Sequence, residues 1–285
     1  MEIIFKKRQQ IDDKKWNETI RNSNTDLPYA YTFFLDIVAP NWGAFLVEDY
    51  SAVMPLPYRN YIFLKSLYQP LFCQQLGVFQ IEKNKAQCDL FLEKTTLFFG
   101  KKNYNFNFLN EFKNTTNLQQ KTNLILPLSE TYETIAAKYN TNTKRNIKKA
   151  IENKLVANPI SIADIADFFI KNTAKKDASF KPKHQQILQQ LLQLENFEFI
   201  AATIDGRIFA IVGIYHNDHR KLAIFNSSND EGKKNGASHF LFDFLIKKYA
   251  NTNTTFDFEG SNIASIAQFY KAFGAIEQNY FAFQK

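Results

Sequence analysis

Residues 231–238 read EGKKNGAS, and residues 258–275 read FEGSNIASIAQFYKAFGA. Ahead of the first stretch lies RKLAIFNSS (220–228), a predicted strand. Behind it lies ASHFLFDFLIKKYA (237–250), whose apolar spacing predicts an amphipathic helix. TFDFEG (255–260) predicts another strand, and a helix follows whose core side would be Ile263, Ile266, Phe269 and Phe273. A polar, glycine-bearing loop between strand and helix gathers backbone N–H groups at one point, and the helix dipole adds positive potential there. Gly232 and Gly236 are expected to let the backbone approach a ligand closely. Lys233 and Lys234 add charge, so the loop suits a pyrophosphate.

Working outward, EFIAATIDGRIFAIVGIYH (198–216) reads as two strands joined by an Asp205-Gly206 hairpin turn. About 155 residues earlier, WGAFLVEDYSAVMPLPYRNYIFL (42–64) repeats that layout around Asp49-Tyr50. In the first half NYIFLKSLYQP, LFCQQLGVF, a helix near 84–99 and the alternating NYNFNFLN follow, so both halves share an element order. The join falls near 115–130, where NTTNLQQKTN is loop-like and LILPL opens a new strand. Ser129 is placed to N-cap the helix SETYETIAAKY. A basic helix, TKRNIKKAIENK, and helices near 161–174 and 182–194 come next. The fold class is therefore α/β with mixed sheets, in two tandem domains, 1–123 and 124–285.

At 45% hydrophobic and 15% aromatic residues, the chain has ample material for packed cores. A net charge of +7 favours acidic partners such as phosphate-bearing molecules, nucleic acid or a membrane surface. Cys73 and Cys88 lack CxxC or histidine partners, which excludes a disulfide framework or cysteine-based metal cluster. His184, His216, His219 and His239 are not spaced as a metal site, and His239 reads as a surface or packing residue. MEIIFKKRQQ lacks an apolar signal core, and no stretch of ~20 apolar residues could cross a bilayer, so a cytoplasmic location is expected.

The stretch Lys233 to Ser238 resembles the acyl-CoA pyrophosphate loop of the GNAT N-acetyltransferase superfamily, R/Q-x-x-G-x-G/A. Lys233 stands at the basic position, Gly236 at the first glycine, and Ser238 where Gly or Ala is usual. Asn262, Tyr270 and Gly274 look like that superfamily's N…YxxxGF helix. The tandem layout, with KRNIKKA and FYKAFGA, is similar to the FemABX-like branch, in which the C-terminal domain keeps the active site. The resemblance covers essentially the whole chain and implies an acyl-CoA-dependent N-acyltransferase, with acetyl-CoA or another acyl-CoA as donor and an amine as acceptor. It implies two GNAT-like domains, the first degenerate: Gln74 to Phe79 reads as a decayed loop with Phe79 where a small residue is needed, or else as an unrelated turn.

Roles for single residues follow, by the resemblance for Tyr270, the strand 225–227, the loop and Asn262, and from residue type and placement for Glu259, Asp257, Lys144 and Arg145. Tyr270 would protonate the departing CoA sulfur, or else it is a packed aromatic. Glu259, with Asp257 two residues earlier on the same strand face, would take the amine's proton, or else both are solvated acids at a sheet end. Phe225, Asn226 and Ser227 would polarise the thioester carbonyl. Lys233, Lys234, Asn235, Gly236, Ala237 and Ser238 would hold the pyrophosphate, and Asn262 would flank the pantetheine. Lys144 and Arg145 would meet a phosphate-bearing acceptor or tRNA, or else form a solvated helix face. Aminoacyl-tRNA-dependent Fem-type enzymes tend to carry a lysine where this chain has Tyr270, which favours CoA as donor. A Fem-type peptidyl transferase acting on cell-wall precursors, or a non-catalytic binding protein on this fold, are the alternatives. No metal is expected.

Overall fold

The computed structural model describes residues 2–284 apart from 24, 26, 63, 83–84, 174–179 and 261. The helix limits expected at 84 and 174 lie outside the described residues. The chain forms two compact units, Met1–Thr122 with Asn279–Lys285, and Asn123–Gln278.

The first unit contains β1 (Ile3–Lys7), α1 (Asp13–Asn22), α2 (Thr32–Val38), β2 (Trp42–Val47), β3 (Ala52–Asn60), β4 (Lys65–Tyr68), β5 (Phe79–Gln80), α3 (Lys85–Phe98), β6 (Lys101–Asn103) and the start of β7 (Leu118–Pro127). Its sheet runs β1-β2-β3-β4-β6, with β5 on β3. The pairs from β1 to β4 are antiparallel, whereas β4 and β6, linked through α3, are parallel. Asp12 caps α1 by accepting the Lys15 N–H, and the buried Trp16 indole donates to Ala30 O at 2.7 Å. Residues 279–284 complete this unit. Phe106 N–H donates to Phe281 O at 2.8 Å, and Phe283 N–H to Tyr104 O at 3.0 Å.

Gln74 to Phe79 is not a decayed helix-opening loop. Phe79 lies in β5 opposite Val53, wholly buried, and α3 opens only at Lys85. Gly77, at φ +92°, is needed for packing: a Cβ there would meet Asn110 Oδ1 at 2.2 Å. Cys73 and Cys88 are free and buried.

The second unit takes β7 onward: α4 (Tyr132–Ala137), α5 (Thr141–Glu152), β8 (Val156–Pro159), α6 (Ile162–Asn172), α7 (Pro182–Leu191), β9 (Phe197–Ile204), β10 (Arg207–His216), β11 (Arg220–Ser228), α8 (Asp230–Lys234), α9 (Ala237–Tyr249), β12 (Thr255–Asp257), α10 (Ala264–Lys271) and β13 (Ile276–Phe283). The sheet order is β13-β7-β12-β11-β10-β9-β8. Strands β8 to β11 pair antiparallel in succession, and β12 returns parallel to β11 after the α9 crossover. That is the wiring of β1, β2, β3, β4 and β6. The repeat of element order is therefore a repeat of topology. Leu126, Val212, Leu241, Leu245, Phe256 and Phe273 are among the buried residues of its core.

Three local readings change. Thr131, not Ser129, caps α4. The polar join NTTNLQQKTN is already strand from Leu118. The loop expected at 229–236 contains a single helical turn, α8, because the Asn229 side chain accepts the Gly232 N–H at 2.7 Å.

Candidate functional site

Strand β11 has nine residues and β12 has three. Their pairing ends at Leu222 opposite Asp257, so β11 runs on without β12 for six residues, Ala223 to Ser228. The register with β10 slips in the same place. Gly213 pairs with Phe225 and Tyr215 with Leu222, so three steps of β11 oppose two of β10. Such a bulge bends its strand and re-aims side chains. Beyond it Phe225 packs between Phe169 and Phe197, while Asn226, Ser227 and Ser228 border a cavity of about 770 Å³. In the first unit the corresponding β4 pairs with β6 up to its last residue, Tyr68. There is no overhang there.

The other cavity walls come from Lys233 and Gly236, the first turn of α9 and one side of α10. Ser238 and His239 project from α9, and Ile263, Ile266, Phe269 and Tyr270 from the α10 region. A volume of several hundred cubic ångströms, mostly apolar with a few convergent polar groups, matches the usual ligand site. Gly236 N-caps α9 in the left-handed conformation, φ +70°. A Cβ on it would meet Asn146 O at 2.4 Å, and one on Gly232 would meet Phe209 O at 2.1 Å. Both glycines are therefore required by protein packing, and their missing side chains do not open the ligand path.

Tyr270 is buried, faces Phe258 at 4.8 Å between ring centres, and accepts a hydrogen bond from Asn226 Nδ2 at 3.3 Å. Burial pushes its hydroxyl up to about 12. Glu259 follows β12 at φ +56°, and its Oε1 is buried with no hydrogen-bond partner. Burial pushes its carboxyl up to about 8, and its negative charge reinforces the upward shift of Tyr270. Asp257 behaves differently. It pairs with Arg220 at 2.7 Å and accepts from Asn123 at 3.0 Å and from the Glu259 N–H at 2.9 Å. It is neither a solvated acid nor the cause of the Glu259 shift.

Of the residues singled out in the sequence, Asn226, Ser227, Lys233, Gly236, Ser238 and Tyr270 line one cavity. Phe225 lies behind that wall and Ala237 in the core. Lys234 is exposed, Asn235 accepts from Asn153 at 2.9 Å, and Asn262 is exposed ahead of α10. Lys144 and Arg145 are exposed on α5, donating to Ala137 O at 2.9 Å and Asn142 Oδ1 at 2.7 Å. Ile263 and Ile266, expected in the core, are 60% and 38% exposed and form the cavity's apolar lip. His239 also lines the cavity, edge-on to Phe269 at 4.7 Å, and burial pushes it down to about 4. Thr173, which no motif in the sequence marks, also lines the cavity, its hydroxyl reaching Ser227 Oγ at 2.6 Å. Among the described residues, no group of acidic, histidine or cysteine side chains is arranged to hold a metal ion.

No family model matches the sequence, and no curated protein matches it. Among solved structures, FemX is similar with a TM-score of 0.67 and 10% identity, over 100% of this chain and 98% of FemX. A GNAT-family acetyltransferase from Colwellia psychrerythraea gives a TM-score of 0.58 and 12% identity, over 99% of this chain and 100% of that one. L-PGS from Bacillus licheniformis gives 0.55 and 11%, over 96% of this chain and 92% of that one. These likenesses show the fold: a mixed α/β architecture of tandem acyltransferase-like units, of the kind found in GNAT acetyltransferases and FemX.

Proposed function

We propose that the chain is an acyl-CoA-dependent N-acyltransferase, moving an acyl group such as acetyl to an amine, and that the second unit's cavity is its active site. The observation that carries this reading is the parting of β11 from β12 past Leu222 and Asp257, with Asn226 and Tyr270 joined in the cavity beside it. A thioester arm laid along the open edge of β11 would meet backbone N–H groups able to stabilise an oxyanion. Lys233, Ser238 and the first N–H groups of α9 would take the pyrophosphate. Glu259, which does not itself line the cavity, accepts the proton of the incoming amine through water, the C–N bond forms, the C–S bond breaks, and Tyr270 gives its proton to the departing sulfur. A phenol held near 12 is protonated over the whole working range, as an acid must be. The first unit, without an overhanging β4, takes no part in donor binding in this reading.

Calorimetric titration with acetyl-CoA and longer acyl-CoAs tests the proposal. Absence of binding to every CoA, alongside binding of charged tRNA, would replace it with the Fem-type reading. That second reading has one observation in its favour: the exposed cations Lys144, Arg145, Lys148 and Lys149 line α5, whose Asn146 touches the Gly236 turn. No binding of either donor would leave a non-catalytic binding protein. Gly236→Glu is a poor probe, since strain and the Asn146 clash would damage the fold. Lys233→Glu is the better one, being exposed, and should weaken acyl-CoA binding by roughly tenfold without changing the melting temperature. Tyr270→Phe should leave acyl-CoA affinity intact and lower kcat by about 10²-fold. Equal loss of affinity in both variants would contradict the roles assigned.

A further inference from the structure

The β3–β4 hairpin of the first unit ends in an apolar tip. Tyr61 and Leu64 are each 60% exposed and Ile62 is 91% exposed, although Tyr61 N–H and Leu64 O close the turn at 2.8 Å. Loop tips are ordinarily polar, and single exposed apolar residues need no explanation. Here three stand within four positions, and the apolar surface continues. Leu64 lies against Gly100, where an added Cβ would meet its Cδ2 at 2.9 Å.

The charges on the hairpin itself and on the neighbouring end of β6 have one sign. Arg59 and Lys65 flank it on β3 and β4, and Lys101 is the β6 partner of Ser66. Lys65 lies over the Phe98 ring at 4.5 Å, whereas Lys102, next on β6, turns back to donate to Phe99 O at 2.7 Å and is no part of this fringe. No acidic residue occurs between Asp49 and Glu82, or between Glu93 and Glu111, the two stretches that build this corner. A purely apolar protein partner would leave that collar of cations without a counterpart. A bilayer bearing anionic headgroups takes both, with the apolar tip at the acyl boundary and the cations at the phosphates.

We infer that the β3–β4 tip docks the protein on an anionic phospholipid surface. This is surface attachment: no helix among the described residues is long and apolar enough to cross a membrane. The inference stands apart from the reading of the second unit's cavity.

Flotation of the full chain with vesicles tests it, comparing phosphatidylglycerol–phosphatidylcholine mixtures with phosphatidylcholine alone. The protein should float with the anionic vesicles and be released as salt is raised. Ile62→Ser combined with Leu64→Ser should weaken partitioning by roughly tenfold or more. Lys101→Gln, a single exposed charge, should weaken it by about fivefold. Circular dichroism should be unchanged in both variants, since none of the three side chains is buried. Equal flotation on neutral and anionic vesicles, no flotation on either, or unaltered flotation of the variants would overturn the inference. So would a concentration-dependent dimer that the Ile62→Ser, Leu64→Ser pair abolishes, which would give the tip to a second copy of the chain.

Discussion

Glu259→Gln is expected to lower kcat by about 10²- to 10⁴-fold, the usual worth of a positioned general base, with acyl-CoA affinity unchanged. Gln keeps the shape of the protonated acid and cannot take a proton. The wild-type rate should rise with pH and level off above about 8, where the carboxyl becomes ionised. The variant should lack that rise. Stability should move in the opposite sense. A carboxyl raised from 4.5 to about 8 by burial binds more protons folded than unfolded between those values. Its contribution is complete below the unfolded value and is lost as pH rises through about 8. The Gln variant is spared this loss and should be the more stable protein near pH 9, by about 5 kcal/mol at most, and so melt at a higher temperature. Melting curves across pH for both proteins check this. Full turnover in the variant would remove Glu259 from the mechanism.

Asp257→Ala is expected to cost about 3–5 kcal/mol of folding stability in denaturant titration. It would strip Arg220, a buried guanidinium that also donates to Gln278, of this carboxylate, and remove the acceptor of bonds from Asn123 and the Glu259 N–H. Asp257→Asn should be milder, because an amide oxygen still accepts from those N–H groups. If Asp257 were instead a catalytic base, turnover would collapse in both variants while stability held. The two carboxylates thus separate by experiment as they do by environment: one engaged by Arg220, Asn123 and a backbone N–H, one half-buried with an oxygen that has no hydrogen-bond partner.

Much of the second unit was legible because its signals are local. Asp205 and Gly206, at φ +47° and +79°, make the hairpin turn that their residue types demand, and Arg220–Ser228 is the strand expected. The order of strand, glycine turn, helix, strand and helix could be read the same way. Other features depend on contacts remote in sequence. Periodicity distinguishes one face of a helix from another, but not a core from a cavity wall, so Ile263 and Ile266 were misplaced. The bulge in β11 exists only in the pairing with β10. The edge strand β8, Val-Ala-Asn-Pro, carries no alternation to read. Glu259 reads as an acid at a sheet end, and nothing local in the sequence marks its Oε1 as buried without a partner.

Strand β13 also has a consequence for biosynthesis. Its last residues complete the first unit, binding Tyr104 and Phe106, while residues 123–278 make the second. At 5–20 residues per second, the ribosome needs roughly 10–30 s to deliver that intervening segment. Throughout this interval the nascent first unit lacks its closing strand, and the aromatic groups that strand covers are without their partner. The half of the protein made first is the half finished last.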